Sequence, residues 1–409
     1  MLVQYTVENY KSIRDEVVIN FRADGKYQDS GWVVQKENIS PPLYKCIGLM
    51  GPNASGKTNI MQSFNFAFRF ILNTIKRKGS SPINLEKFAF EEEMDEEPTS
   101  FEFVFYRNEV KYVYGFSVSR REVLEEYLTG DFSGKSKLFF DRFGRRQFEF
   151  GDTDVKVQQE IAKKTNPNRL YMPVAAEWGY APLKEVYQWF EFHARQYEDY
   201  SIYTTVGEVI KKEKRKQVLL DELKKADFNI KDIYIKNKKM DKQSHDILEK
   251  LLMEIMGENA DFSLPDTRPD IRIVHEDYEG ETFDIALDED SAGTEEFVEN
   301  MAEFLYLCEQ GGLMLEDELG KSYHIKLAQH FLEMFKSPVM NPGHAQLFFT
   351  THNTKILNML NPDQIYLVDK DETGATFVKL LDDYSICEDE DLELGYLKGR
   401  YGGVPYMKG

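Results

Sequence analysis

Eight consecutive residues, Gly51, Pro52, Asn53, Ala54, Ser55, Gly56, Lys57 and Thr58, have the composition and spacing of a loop that closes on phosphate. Glycine lets backbone amides approach phosphate oxygens with no Cβ in the way, and a following helix adds unpaired N–H groups and the positive end of its dipole. Lys57 is placed to reach β- and γ-phosphates. The Thr58 hydroxyl suits Mg²⁺, a hard cation that takes few protein ligands and keeps several waters. Three further stretches could complete such a site. The apolar run Leu313-Met314-Leu315 ends in Glu316-Asp317-Glu318. There Asp317 could hold Mg²⁺ through water, and Glu318 could polarise an attacking water. Ala345 to Thr351 runs into His352-Asn353, where an imidazole could touch a γ-phosphate and report its presence. Ser291-Ala292-Gly293-Thr294 opens a helix from Glu295 to Cys308 and so presents a second anion-facing N-terminus. Each of these has a structural alternative: a buried strand reaching solvent at an acidic turn, a histidine after a strand, an ordinary serine cap.

The flanks decide for the first motif. Tyr44 to Met50 has the length and apolar content of a buried strand, and Asn59 to Leu72 continues as a helix, which is the context the phosphate loop requires. Before it, Val3, Tyr5 and Val7 alternate and Val17 to Phe21 follows after a turn, predicting two short strands of a small antiparallel sheet. After it come further strands at Phe101 to Phe105, Lys111 to Val118 and Arg121 to Tyr127, then a hairpin from Lys137 to Phe150. From Val155 to about Gly257 the pattern is mainly helical, with helices expected over Leu183 to Phe192, Ile210 to Ala226 and Asp246 to Met256. Ile271 to His275 and Glu281 to Leu287 read as a strand pair, and Gln364 to Leu380 as a terminal hairpin around Glu372-Thr373-Gly374. The expected architecture is α/β: an N-terminal lobe with phosphate loop and β-subdomain over 1–150, a mainly helical insertion over 151–270, and a C-terminal lobe over 271–409.

Composition sets limits. The chain of 409 residues is long enough for a large domain with an insertion, or for two domains. No apolar run approaches the roughly 20 residues of a membrane span, and Met1 to Tyr10 lacks the basic start and apolar centre of a signal peptide, so a cytoplasmic protein with no membrane partner is expected. Three distant cysteines, Cys46, Cys308 and Cys387, fit a reducing compartment and argue against a zinc site or disulfide framework. With 71 acidic and 51 basic residues the net charge is −20, unfavourable for wrapping a nucleic-acid backbone over a wide surface. No sustained heptad repeat is present, which excludes a long coiled-coil arm.

Taken in order, the phosphate loop, Ser291 to Thr294, Leu313 to Glu318 and Thr351-His352-Asn353 resemble the phosphate loop, signature motif, acidic strand and switch histidine of ABC-type ATPases. Glu8-Asn9-Tyr10-Lys11-Ser12-Ile13, Asp290-Ser291-Ala292-Gly293-Thr294 and the closing Gly399-Arg400-Tyr401-Gly402-Gly403-Val404-Pro405 are similar to the stand-alone ATPases of bacterial abortive-infection and antiphage systems, of the RloA and AbiLi type and related to the ATPase of PARIS systems. That resemblance implies a P-loop ABC-type core that binds ATP and Mg²⁺ and hydrolyses ATP, with Glu318 and His352 catalytic and Thr58 and Asp317 at the metal. It implies a dimer bridged by ATP, in which Ser291 and the amides near Gly293 of one chain face the γ-phosphate held by Lys57 of the other. It implies a partner effector encoded by a neighbouring gene, often of TOPRIM-like nuclease fold, and a phage-derived trigger. Ser322 and His324, in the loop after the acidic pair, are candidates for coupling two such sites. Ser-Ala-Gly-Thr replaces the double-glycine signature turn, and no glutamine lid residue is placed. The competing reading is a DNA-repair or DNA-maintenance ATPase that clamps duplex DNA, which the charge and the missing coiled coil disfavour.

Overall fold

Alternating apolar residues build the first layer. β1 (Leu2–Glu8) pairs antiparallel with β2 (Val17–Asn20), Tyr5 opposite Ile19. β3 (Val33–Lys36) and β4 (Ile39–Tyr44) form a separate two-stranded ribbon. β5 (Cys46–Met50), buried along its whole length, leads through the glycine loop into α1 (Lys57–Asn73). β6 (Thr99–Arg107), β7 (Val110–Val118), β8 (Val123–Phe132), β9 (Lys135–Phe143) and β10 (Gln147–Phe150) then run up and down. β6 also pairs with β1, so the two groups of strands separated by the phosphate loop are one seven-stranded antiparallel sheet in the order β10-β9-β8-β7-β6-β1-β2. α2 (Val155–Lys164), α3 (Tyr171–Glu177) and α4 (Ala181–His193) follow.

The computed structural model describes every residue except 24–26, 28–29, 80, 133, 152–153, 194–201, 240–246, 248–266, 387–389 and 405–409. Cys387 and, apart from Ile247, the helix expected over Asp246 to Met256 lie outside the described residues. The chain divides into two units: Met1–Asp199, Leu307–Lys321 and Ala328–Gly409 form the first, Tyr200–Tyr306 and Ser322–Leu327 the second.

In the second unit, a separate α5 (Ile202–Ile210) precedes α6 (Glu213–Lys225), which forms the helix expected from Ile210 to Ala226 and starts three residues later because Lys212 is extended. β11 (Ile230–Lys239), β12 (Thr267–Glu276) and β13 (Thr282–Ala286) form an antiparallel sheet with Ile233, Ile273 and Ile285 in register. The helix Ala292–Leu307 adds Phe297, whose ring lies 5.4 Å from Phe228 and 5.5 Å from Tyr323.

The site is positioned by a five-stranded sheet in the first unit, where β14 (Leu313–Glu316), β15 (Gln346–Thr351), β5 and β16 (Ile365–Lys370) are parallel and β17 (Thr376–Leu380) closes antiparallel on β16, in the order β14-β15-β5-β16-β17. α1 lies between this sheet and the seven-stranded one. Its spacing Ile60, Phe64, Phe68 and Ile71 presents an apolar stripe. The Phe64 ring is 5.3 Å from Phe103 of β6 on one side and 6.4 Å from Phe348 of β15 on the other. Phe68 meets Phe190 of α4 at 5.4 Å. Each such ring contributes roughly 1.5–3 kcal/mol on burial, so the helix that begins at Lys57 is held by both layers. The glycine-rich segment from Gly399 to Gly403 packs on its own unit: Tyr401 is buried and Tyr396 donates to the Gly403 carbonyl. Among the described residues, no helix is long and apolar enough to cross a membrane.

Candidate functional site

Parallel pairing puts the C-terminal ends of β5, β14 and β15 on one edge of the sheet, with Glu316, Phe349 and Gly48 in one row. Ligands of open α/β sheets bind at such edges. The glycines of the loop are required by contact. A Cβ on Gly51 would lie 2.2 Å from the Val368 carbonyl oxygen, and one on Gly56 2.0 Å from Thr376 Oγ1, in a backbone at φ +113°. Lys57 folds across the loop, Nζ donating to the Gly51 carbonyl at 2.8 Å and to the Pro52 carbonyl at 3.0 Å. Burial lowers its pKa, opposed by the nearby Asp317 and Glu318 carboxylates. Ser55 Oγ is buried with no hydrogen-bond partner, although buried hydroxyls are normally satisfied. A cradle lined by an orphan hydroxyl and an ammonium resting on its own loop fits a phosphate chain.

The acidic pair is drawn to the same edge. Thr58 Oγ1 lies 3.5 Å from Asp317 Oδ1, and Thr350 donates to that same Oδ1 at 2.7 Å while its Oγ1 accepts the Glu318 N–H at 2.7 Å. Glu318 has φ +66°, a left-handed conformation that costs a non-glycine residue about 1–3 kcal/mol and is retained where surroundings over-determine it. That conformation turns the carboxylate toward His352, Oε1 to Nε2 3.8 Å, with Lys321 Nζ 3.8 Å from Oε2. The His352 pKa is lowered by burial and by Lys57, against Glu318 and Asp317, which favours the neutral imidazole. Beside it opens a cavity of about 390 Å³ bounded by Glu318, Lys321, Thr351, His352 and Asn353. Among the described residues no three His, Cys, Asp or Glu side chains form a metal cage. Thr58 and Asp317 offer two hard oxygens, which fits Mg²⁺ completing its shell with phosphate and water.

The structure thus brings together Lys57, Thr58, Asp317, Glu318 and His352. Ser291 and Gly293 belong to the second unit, where Ser291 is the ordinary serine cap of the helix Ala292–Leu307, buttressed by its neighbours. Ser291 Oγ accepts the Thr294 N–H at 3.1 Å and pairs with Thr294 Oγ1 at 2.8 Å, while Asp290 takes Thr294 Oγ1 at 3.1 Å and His275 Nε2 at 3.0 Å. A Cβ on Gly293 would lie 2.7 Å from the Ser322 carbonyl oxygen. Of the candidate coupling residues, Ser322 donates its N–H to Glu296 at 3.1 Å, and His324 Nδ1 accepts the Lys326 N–H at 3.2 Å.

Sequence reasoning missed the residues that brace the loop. Thr376 Oγ1 bonds the Ser55 carbonyl at 2.9 Å and Ser12 Oγ at 2.7 Å, and Asn59 donates to that same Ser12 Oγ at 2.6 Å. Thr350 was missed as well. The available signals were faint: a threonine opening an apolar strand, and a Thr-Thr pair ahead of a histidine.

The profile of the family described as "AAA domain, putative AbiEii toxin, Type IV TA system" matches residues 46–358. Among solved structures, the chain is similar to one described as the "SmcHead bound to the C-winged helix domain of ScpA", at 11% identity and TM-score 0.39 over 92% of this chain and 96% of that one. It is also similar to the "SMC head domain from Thermotoga maritima", at 14% identity and TM-score 0.35 over 93% and 98%. None of the curated proteins matches.

Proposed function

This chain belongs to the AAA-domain family described as putative AbiEii toxins of type IV toxin–antitoxin systems, and from that premise we propose that it hydrolyses ATP to ADP and phosphate as the regulatory subunit of a bacterial antiphage system. The observation that carries the chemistry is the meeting, at one sheet edge, of a lysine-bearing phosphate loop with the Asp317–Glu318 pair and His352.

On binding, Lys57 exchanges the Gly51 and Pro52 carbonyls for β- and γ-phosphate oxygens, and Ser55 Oγ gains an acceptor. Thr58 and Asp317 would hold Mg²⁺, which neutralises charge on the β- and γ-oxygens. Glu318 accepts a proton from water as its oxygen attacks the γ-phosphorus; the bond from that phosphorus to the bridging oxygen breaks and ADP leaves. His352 donates N–H to a γ-phosphate oxygen. Ser291 and the amides near Gly293 of a second copy face the same γ-phosphate, so one chain alone does not complete the site. The dimer, of the RloA, AbiLi and PARIS-ATPase kind and cytoplasmic, restrains or arms an effector encoded beside it, a TOPRIM-like nuclease, until a phage-derived trigger changes its nucleotide state. The toxin–antitoxin wording of the family description supports a two-component arrangement.

Phosphate release tests the chemistry. Glu318→Gln should reduce turnover at least 100-fold with ATP still bound, a loss typical of removing a positioned general base, and Lys57→Ala should abolish binding. Unchanged turnover in Glu318→Gln would refute the assigned base.

A further inference from the structure

A triphosphate seated in the loop meets two unlike flanks. In the sheet order β14-β15-β5-β16-β17, Asp317, Glu318 and His352 follow β14 and β15, all on one side of β5. A γ-phosphate facing them would direct the α-phosphate and its nucleoside toward β16 and β17. There Thr376, the first residue of β17, clamps the Ser55 carbonyl. Two residues earlier, at most about 7 Å along the chain, lies Gly374, in a tight turn at φ +83°. The ring of Phe90 rests against that glycine, 3.4 Å from where its Cβ would be. Phe90 is 67% exposed, whereas Phe88, edge-to-face with it at 5.5 Å, is buried. The result is a solvent-facing aromatic plate, backed by a second ring, on the flank to which the nucleoside points.

Both walls of this flank hang from one segment, Glu8 to Ile13 with Arg14, which the reaction itself leaves without a role. Buried Asn9 accepts the Phe88 N–H at 3.0 Å and donates to the carbonyls of Met94, Glu97 and Pro98. Ser12 holds Thr376 through both its hydroxyl and its carbonyl, each at 2.7 Å. Arg14 joins the two walls: Nη1 donates to Glu91, next to Phe90, at 2.8 Å and to Thr373, next to Gly374, at 3.0 Å. We propose that Phe90 and the Gly374 turn form the platform on which the base of the bound nucleotide stacks, and that Asn9, Ser12 and Arg14 are its positioning residues. This rests on the phosphate-loop reading above. A platform of this kind reads the π-face that every base shares rather than its hydrogen-bonding edge, so ATP and GTP bind alike.

The test is calorimetry on the full chain with Mg²⁺, using the non-hydrolysable imido analogues of ATP and GTP and, as a probe without a base, inorganic tripolyphosphate. Phe90→Ala should weaken both analogues by roughly tenfold, within the range found for loss of one base–aromatic stack, and leave tripolyphosphate within about twofold; Phe90→Tyr should restore both. Equal analogue binding by wild type and Phe90→Ala, alongside intact tripolyphosphate binding, overturns the platform and leaves the phosphate loop standing. A parallel loss of tripolyphosphate in Phe90→Ala makes the residue structural and also overturns it, as does a tenfold preference of the wild type for one purine. If the wild type binds none of the three, the phosphate-loop reading falls and the platform with it.

Discussion

Thr350 Oγ1 lies 2.7 Å from Asp317 Oδ1 and the same distance from the Glu318 backbone nitrogen. One hydroxyl on β15 therefore fixes both members of the acidic pair at the end of β14, donating to the first and accepting from the second. It also supports the left-handed backbone at Glu318, which aims that carboxylate at His352.

Thr350→Val keeps the shape of the side chain and deletes both bonds. The Glu318 N–H is part-buried, so leaving it unpaired costs about 1 kcal/mol, the low end for a buried donor, and Glu318 loses its anchor. Turnover should fall by roughly ten- to a hundredfold, the effect of a misplaced base, while ATP affinity stays within about threefold because Lys57 is untouched. Equilibrium binding beside phosphate release checks this; a matched loss of both would mean that the loop itself had moved.

A buried ion pair in the seven-stranded sheet sets a stability prediction. Glu126 and Arg142 are fully buried, 3.6 Å apart. Glu126 accepts the N–H groups of Tyr171 and Met172 and the Tyr114 hydroxyl, tying α3 to the sheet. Arg142 also donates to the carbonyls of Gly144, Pro167 and Arg169. Breaking such a pair costs about 3–5 kcal/mol; because Arg142 keeps three acceptors, Glu126→Ala should sit near about 3 kcal/mol by urea unfolding, and Glu126→Gln should cost less. A loss below about 1 kcal/mol, the value of an exposed pair, would contradict the burial argument.

Glu299, on the helix Ala292–Leu307, has its pKa raised to about 7 by burial and by Glu295 and Glu296. The folded state therefore binds the proton more tightly than the unfolded one, so this contribution is complete below the ordinary carboxylate pKa of 4.5 and is lost as pH rises through about 7. After discounting for partial exposure it is on the order of 1 kcal/mol. Thermal unfolding followed from pH 5 to pH 8 should show a decline that Glu299→Gln removes; an equal decline in the variant would assign it elsewhere.

What could be read from the sequence follows local rules, and what could not follows from contacts across it. The loop from Gly51 to Thr58 is legible because its glycines answer to local sterics and its flanks to hydrophobic period. Asp317, Glu318 and His352 are legible as the ends of apolar strands. Thr350, Thr376, Ser12 and Asn59 are not, because their worth lies in pairings such as Ser12 with Thr376, 364 residues apart. The joining of β1 to β6 is likewise invisible, since a long connection through α1 separates two strands that each look like parts of small sheets. The helix over 210–226 is legible from its period, but its start at Glu213 is not, because Lys212 is a good helix former and gives no start or stop signal.

The most direct measurement is the mass in solution of the Glu318→Gln protein with and without Mg-ATP. If the chain closes around ATP and Glu318 is the base, nucleotide should double the mass and hold it doubled, since ATP is trapped uncleaved. A protein that binds ATP yet keeps one mass throughout, or whose dimer disperses as ATP is consumed, would contradict the ATP-bridged dimer or the role of Glu318 respectively.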